Sequence, residues 1–180
     1  MLYDQTLSRV QTYFDKTASK TWEQLTSDAP VSKIRQTVRI GRERMRNKLL
    51  SQLPEDLNEA RILDAGCGTG QFTTELVKRG ANVVATDISN SLIQIAKNRI
   101  SADYHTKIKF HVGDLCNKDL GQFDYVIAMD SLIYYSLDDL SRILIGLKQR
   151  TTREVIFTVA PRTKLLLVMW YLGKLAPKGD

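Results

Sequence analysis

Cysteine and long apolar runs are scarce in this 180-residue chain, and each scarcity excludes a class of protein. The two cysteines, Cys67 and Cys116, have neither metal-ligand spacing nor a disulfide framework around them, which points to a reducing compartment and to no protein-bound metal. The N-terminal MLYDQTLSRV lacks the basic stretch and apolar run of a secretory signal, so a cytoplasmic location is expected. The longest apolar run, Leu165 to Leu172, falls well short of the roughly 20 residues of a membrane-spanning helix. No internal repeat or low-complexity segment interrupts the chain.

What is present is an ordinary apolar fraction, 43%, enough for one packed domain, and a basic balance. Against 20 acids stand 26 Lys and Arg, giving a net charge of +6 and a preference for an anionic partner: nucleic acid, a membrane surface or a carboxylate-bearing substrate. From residue 60 onward, β-branched runs alternate with amphipathic stretches. Strands are expected at Arg61–Asp64, Asn82–Asp87, Ile108–Val112, Tyr125–Met129 and Val155–Val159, with helices over 70–79, 90–100 and 137–149. The nearly continuous apolar segments ILDA, VVAT, YVIAM and VIFTV suit strands covered on both faces of a mostly parallel, doubly wound α/β sheet. Residues 1–58 carry helical spacing at Ile34, Val38, Met45 and Leu49 and read as a helical arm or lid, leaving 59–180 as the α/β core. Pro54 punctuates the two.

The chemistry concentrates in LDAGCGTG, which puts Asp64 at a strand end, glycines at 66, 68 and 70, and a helix directly after. Glycines there let the backbone approach a ligand that helix N-terminal amides face. The spacing is G-x-G-x-G rather than the G-x-G-x-x-G of dinucleotide binding, so no pyrophosphate need be cradled. Asp87 ends the second strand, where a carboxylate can accept bonds from ribose hydroxyls. Asp114 follows the third strand in HVGDL, and Asp130 and Ser131 follow the fourth in AMDSL. All lie at carboxyl ends of strands, where open α/β sheets bind ligands.

These motifs, over about residues 60–160, resemble the class I S-adenosylmethionine (SAM)-dependent methyltransferases with their Rossmann-like fold. The resemblance implies SAM as methyl donor, with Asp64, Gly66, Cys67, Gly68 and Gly70 lining the methionine end. By the same resemblance Asp87 and Ile88 hold the ribose, Asp114 and Leu115 the adenine, and Met129 borders the cofactor. A sheet of this kind normally carries further strands after the fifth, and only residues 160–180 remain, so the last strands are expected to be missing.

Four further segments, YFDKTASKTWEQLTSD (13–28), VRIGRERMR (38–46), MDSLIYY (129–135) and VAPRT (159–163), resemble the magnesium-protoporphyrin IX O-methyltransferases of chlorophyll and bacteriochlorophyll synthesis, in particular their purple-bacterial branch. That resemblance implies esterification of a propionate of magnesium protoporphyrin IX, the magnesium belonging to the substrate. It also leaves room for contact with a porphyrin-binding subunit of magnesium chelatase and for peripheral association with a photosynthetic membrane. The oxygenic members carry a tyrosine in the place of Thr26 and a histidine in the place of Tyr134, the family's catalytic pair. With Thr26 and Tyr134 there instead, a base mechanism is not expected, and Tyr134 is expected to position a carboxylate that arrives ionised. Tyr13, Phe14, Trp22, Arg35, Arg39, Ser131 and Tyr135 are the candidate substrate contacts, Arg35 and Arg39 from a stretch whose sole acid is Glu43. The apolar LLLVMWYLGKL (165–175) is expected to be a core helix, with a porphyrin wall or docking surface as the sharper alternative.

Two rival functions remain open at the level of sequence. An RNA methyltransferase would explain the basic arm and would bind with strong salt dependence. Against it, the N/D-P-P-Y/F motif of base N-methylation is absent, and no nucleic-acid partner is expected. A non-catalytic SAM-binding protein would bind SAM without turnover.

Overall fold

A computed structural model describes residues 3–27 and 29–159. The chain opens with a nearly unbroken helical segment: α1 (Tyr3–Tyr13), one π turn (Phe14–Ala18) and α2 (Ser19–Leu25). After a short loop α3 (Lys33–Leu50) starts at Ser32, whose hydroxyl caps the helix by accepting from the Arg35 N–H. The α/β body then runs β1 (Arg61–Ala65), α4 (Gln71–Lys78), β2 (Asn82–Asp87), α5 (Asn90–Arg99), β3 (Ile108–Val112), β4 (Phe123–Ala128), α6 (Leu137–Gln149) and β5 (Thr151–Phe157). Ser89 caps α5 and Ser136 caps α6 in the same way.

The five strands pair in the order β3-β2-β1-β4-β5, every pair parallel. This is the expected doubly wound sheet, and each expected strand and core helix is present. Two strands begin earlier than the apolar runs suggest: β4 at Phe123 and β5 at Thr151. The first residues of β5, Thr151 to Glu154, are polar, and three of them are exposed on the outermost strand of the described sheet, so hydrophobicity alone does not reveal them.

Burial of the central strand explains its composition. In β1, Ile62 packs with Leu76 and Ile93 on one side, while Leu63 and Ala65 pack with Val126, Ile143 and Leu147 on the other. Fully burying each such side chain contributes on the order of 1.5–3 kcal/mol. The end of α3 joins the first of these clusters through Leu49 and Leu50, followed by Leu53 and Leu57. A third, smaller cluster lays Phe14 and Ala18 of the π turn against Leu92 of α5, with Val10, Trp22 and Tyr134 at its edge. The helices before β1 therefore share core with the sheet and roof the carboxyl ends of its strands.

No helix among the described residues is long and apolar enough to cross a membrane, and no cluster there has the makings of a metal site. The segment 165–175, the last residues of VAPRT and any strand beyond β5 lie outside the described residues.

Candidate functional site

The Gly-rich turn is fastened to the end of β2. The N–H groups of Gly66 and Cys67 both donate to the Thr86 carbonyl, at 2.8 and 2.9 Å. Gly66 has φ +83, and a Cβ there would run into the Cβ of Ser131, so both backbone conformation and space demand glycine. Gly68 donates its N–H to Asp87 Oδ2 at 2.9 Å, and the Ser89 N–H donates to Asp87 Oδ1 at 2.9 Å. Each carboxylate oxygen keeps a further lone pair for a ligand hydroxyl.

Burial sets the charge state of the acids here. It pushes the Asp87 carboxyl up to about 6, outweighing the N–H groups of Ser89 and Gly68 that favour ionisation. It pushes Asp64 up to about 7, despite the hydrogen bond that Thr73 Oγ1 donates to Asp64 Oδ2 at 2.6 Å. Burial also holds the Cys67 thiol well above its usual range, so it behaves as a small apolar wall rather than a nucleophile.

Asp114 is reached from the far end of the arm. Tyr3 donates its hydroxyl to Asp114 Oδ1 at 2.8 Å, the Cys116 N–H donates to the same oxygen at 2.8 Å, and the Tyr3 ring stacks on Tyr135 with centroids 5.6 Å apart. Asp15 fixes the middle of the arm, accepting from the Ser89 hydroxyl at 2.6 Å and from the Ser91 N–H at 3.2 Å.

After β4 the chain turns sharply through Asp130, a non-glycine residue at φ +59. The turn is held by the Asp130 N–H donating to Thr158 Oγ1 at 2.7 Å and by an ion pair between Asp130 and Arg42 of α3. Ser131 donates its hydroxyl to the Ala65 carbonyl at 2.6 Å, which ties this turn to the Gly-rich one. Trp22 lies beneath the Arg42 guanidinium at 4.6 Å, and Phe14 meets Trp22 and Tyr134 edge-on at 6.0 and 5.9 Å. Burial raises the Tyr134 phenol above its ordinary value, the wrong direction for a base at neutral pH.

One cavity gathers most of the expected residues. Asp64, Gly66, Cys67, Gly68, Asp87, Ile88, Asp114, Leu115 and Met129 line its sheet side; Phe14, Trp22, Thr26, Ser131, Tyr134 and Tyr135 line its arm and β4 side. Gly70 stands behind the lining, at φ +80 before α4. Three expected contacts lie elsewhere. Tyr13 is 51% exposed on the outer face of the arm, beside Asp4 and Arg9. Arg35 is exposed, with its guanidinium 3.5 Å from Gln24 Oε1. Arg39 donates to the carbonyls of Gln24 and Leu25, the last two of α2, where a cation suits the helix C-terminus, and to that of Ala29 in the following loop, at 3.0 to 3.1 Å. The cations that line the cavity are Arg42 and Arg46, further along α3.

Thr26 lines the cavity but its hydroxyl is engaged on every side. It donates to the Trp22 carbonyl at 2.7 Å and accepts from Arg99 at 2.8 Å and from the Thr69 hydroxyl at 2.9 Å. Its own carbonyl accepts from Gln71 Nε2 at 2.8 Å. This is a clasp between the arm, the Gly-rich turn and α5. No local pattern in the sequence marks Tyr3, Asp15 or Arg99, since each acts across more than 70 positions.

Residues 62–152 match the model of a methyltransferase domain, and residues 128–180 match that of the magnesium-protoporphyrin IX methyltransferase C-terminus. The chain is 54% identical to a magnesium-protoporphyrin O-methyltransferase of Rhodobacter capsulatus over 99% of its own length and 80% of the relative's. It is 30% identical to the protein of that name from Synechocystis, over 93% of the chain and 74% of the relative. Its fold superposes with TM-score 0.85, at 27% identity, on the crystal structure of a Synechocystis magnesium protoporphyrin IX methyltransferase with bound SAH, covering 96% of this chain and 80% of that one.

Proposed function

The chain belongs to the magnesium-protoporphyrin IX O-methyltransferase family, and from that premise we propose that its roofed cavity joins the methyl group of SAM to a propionate carboxylate of magnesium protoporphyrin IX, giving the monomethyl ester. The observation that carries the reading is the cavity itself. Acids at three strand ends face an aromatic and cationic wall supplied by the arm, and that pairing suits a nucleoside beside an anionic, flat acceptor.

The residues fit SAM. Asp87 keeps lone pairs for the ribose hydroxyls; Ile88, Leu115 and Asp114 offer an apolar slot with one polar edge for adenine; Asp64 and the side-chain-free backbone at Gly66 and Gly68 leave room for the methionine end. When bound, SAM supplies a methyl group on a sulfonium, an electrophile that needs no further activation. On the acceptor side we assign Phe14, Trp22 and Tyr135 to the ring and Tyr134 to the carboxylate, while Ser131, whose hydroxyl proton is held by the Ala65 carbonyl, shapes the turn beside it.

A propionate has an ordinary pKa of about 4–5, like a Glu side chain, and arrives ionised. Its oxygen forms a C–O bond to the methyl carbon as the S–C bond breaks, the electron pair staying on sulfur, and no proton moves. The protein's work is therefore to align the carboxylate and to shed its water. Tyr134, protonated throughout the working range, donates a hydrogen bond; Thr26 holds the arm shut rather than taking a proton. The arm before β1 is the lid in this reading, and contact with a chelatase subunit or a membrane surface is assigned to 165–175.

The test is to mix the protein with SAM and magnesium protoporphyrin IX and to look for the monomethyl ester by chromatography, with RNA as a competing acceptor. Ester formation is expected. Label appearing in RNA, or SAM bound without any product, would overturn the assignment.

A further inference from the structure

The wall of the cavity formed by α3 carries more positive charge than its neighbours compensate. Arg42 and Arg46 stand four residues apart, one turn along the same helix face, and both line the cavity. The Nε atoms of both are buried and have no hydrogen-bond partner. Buried donors are nearly always satisfied in a native fold, so two adjacent exceptions on one wall call for an acceptor. Arg42 is otherwise provided for: Asp130 pairs with it, and the Trp22 ring lies beneath it. Arg46 has no ion pair and no side-chain hydrogen bond among the described residues, and its charge opposes that of Arg42. Two guanidinium groups thus share a wall on which one carboxylate, Asp130, pairs with Arg42 alone.

We propose that Arg46, beside the fixed Arg42–Asp130 pair, is a carboxylate-binding subsite for a ligand of this cavity. The inference rests on the reading of the cavity as the methyl-transfer site. A guanidinium edge made of Nε–H and Nη–H matches the two oxygens of a carboxylate, which an ammonium or an amide cannot reproduce. Asp130 is held in a left-handed turn by Thr158 and by Arg42, so it is not free to swing to Arg46. Two ligands bring a carboxylate here, the methionine moiety of SAM and the propionate of the acceptor, and the chemistry recognised is the same.

The experiment separates them with Arg46→Gln and Arg46→Lys, read by calorimetry with SAH and with 5′-methylthioadenosine, which lacks the amino-acid carboxylate, and by the KM for magnesium protoporphyrin IX. Loss of a charge-assisted bond predicts about 10- to 100-fold weaker binding of one ligand in Arg46→Gln. If SAH weakens while methylthioadenosine does not, the subsite takes the methionine carboxylate. If SAH is unchanged and the porphyrin KM rises at constant kcat, it takes the propionate. Arg46→Lys, which keeps the charge and the helix, recovers part of either loss and serves where Arg46→Gln fails to fold. Unchanged binding and KM in folded variants, or equal weakening of SAH and methylthioadenosine, overturns the proposal. A wild type that forms no ester while Arg46→Gln still separates SAH from methylthioadenosine would sink the porphyrin reading and leave the subsite standing.

Discussion

Replacing Thr26 by valine asks whether that position holds the arm or takes part in chemistry. The two side chains are close in shape, but valine removes an acceptor used by Arg99 at 2.8 Å and by Thr69 at 2.9 Å, in a residue only 9% exposed. A neutral hydrogen bond contributes about 0.5–1.5 kcal/mol and one to a charged group about 1.5–3 kcal/mol. Arg99 keeps the carbonyl of Glu23 at 2.7 Å, which softens its loss. The expected cost is therefore about 2–3 kcal/mol, or a fall in Tm of about 4–12 °C for a domain of this size. It should be accompanied by faster amide exchange over 19–27, where the clasp seats the arm. Thr26→Ser keeps the hydroxyl and should restore both. With saturating substrates, kcat for Thr26→Val measured well below its Tm should fall only modestly. An unchanged Tm together with abolished turnover would refute the clasp and place Thr26 in the chemistry.

The other expectations concern the Gly-rich turn and its acids. Asp87 is pushed up to about 6, so lowering the pH through that value protonates the carboxylate we propose as acceptor of the ribose hydroxyls. SAH affinity should then weaken about tenfold between pH 7 and pH 5, and Asp87→Asn should flatten that step; an affinity that does not vary with pH would contradict the assignment. The sign for the ligand-free fold is opposite. Both Asp64 and Asp87 have raised values, so the stability they contribute is present at low pH and lost as pH rises through about 6–7, and a thermal melt without ligand should show it. Gly66→Ala combines a left-handed φ with a collision against Ser131 and should cost about 2–4 kcal/mol by denaturant unfolding. Ser131→Gly in the same chain should recover the collision but not the backbone strain, giving a non-additive double-mutant cycle; strict additivity would mean the two turns do not touch.

The sheet was legible because its physics is local. Continuous apolar runs announce strands buried on both faces, and the spacing of glycines at 66, 68 and 70 announces a turn that a ligand approaches closely. Where the signal failed, the determinant was long-range. The polar residues Thr152, Arg153 and Glu154 form the outermost strand of the described sheet because Phe123 to Ala128 gives them a partner, not because their own composition favours it. Arg35 and Arg39 share the charge and helix of Arg42 and Arg46, and no property of the string distinguishes the pair that faces the cavity. The difference is that Arg39 meets the carbonyls at the end of α2. Tyr3 is a further case: its bond to Asp114 closes that end of the cavity from 111 positions away, which only the folded arm reveals.

In the proposed reaction the cavity esterifies an already ionised carboxylate by alignment and exclusion of water, with no proton taken at Tyr134. The most direct measurement is the pH profile of kcat, at saturating SAM and porphyrin, for the wild type and Tyr134→Phe. Between about pH 7.5 and 9.5 the propionate is fully ionised and the buried Tyr134 phenol remains protonated, so both profiles should be flat and parallel, with Tyr134→Phe lower by about tenfold or less for the lost hydrogen bond. A wild-type limb that rises with pH and vanishes in Tyr134→Phe would show a proton leaving that hydroxyl and would contradict the account.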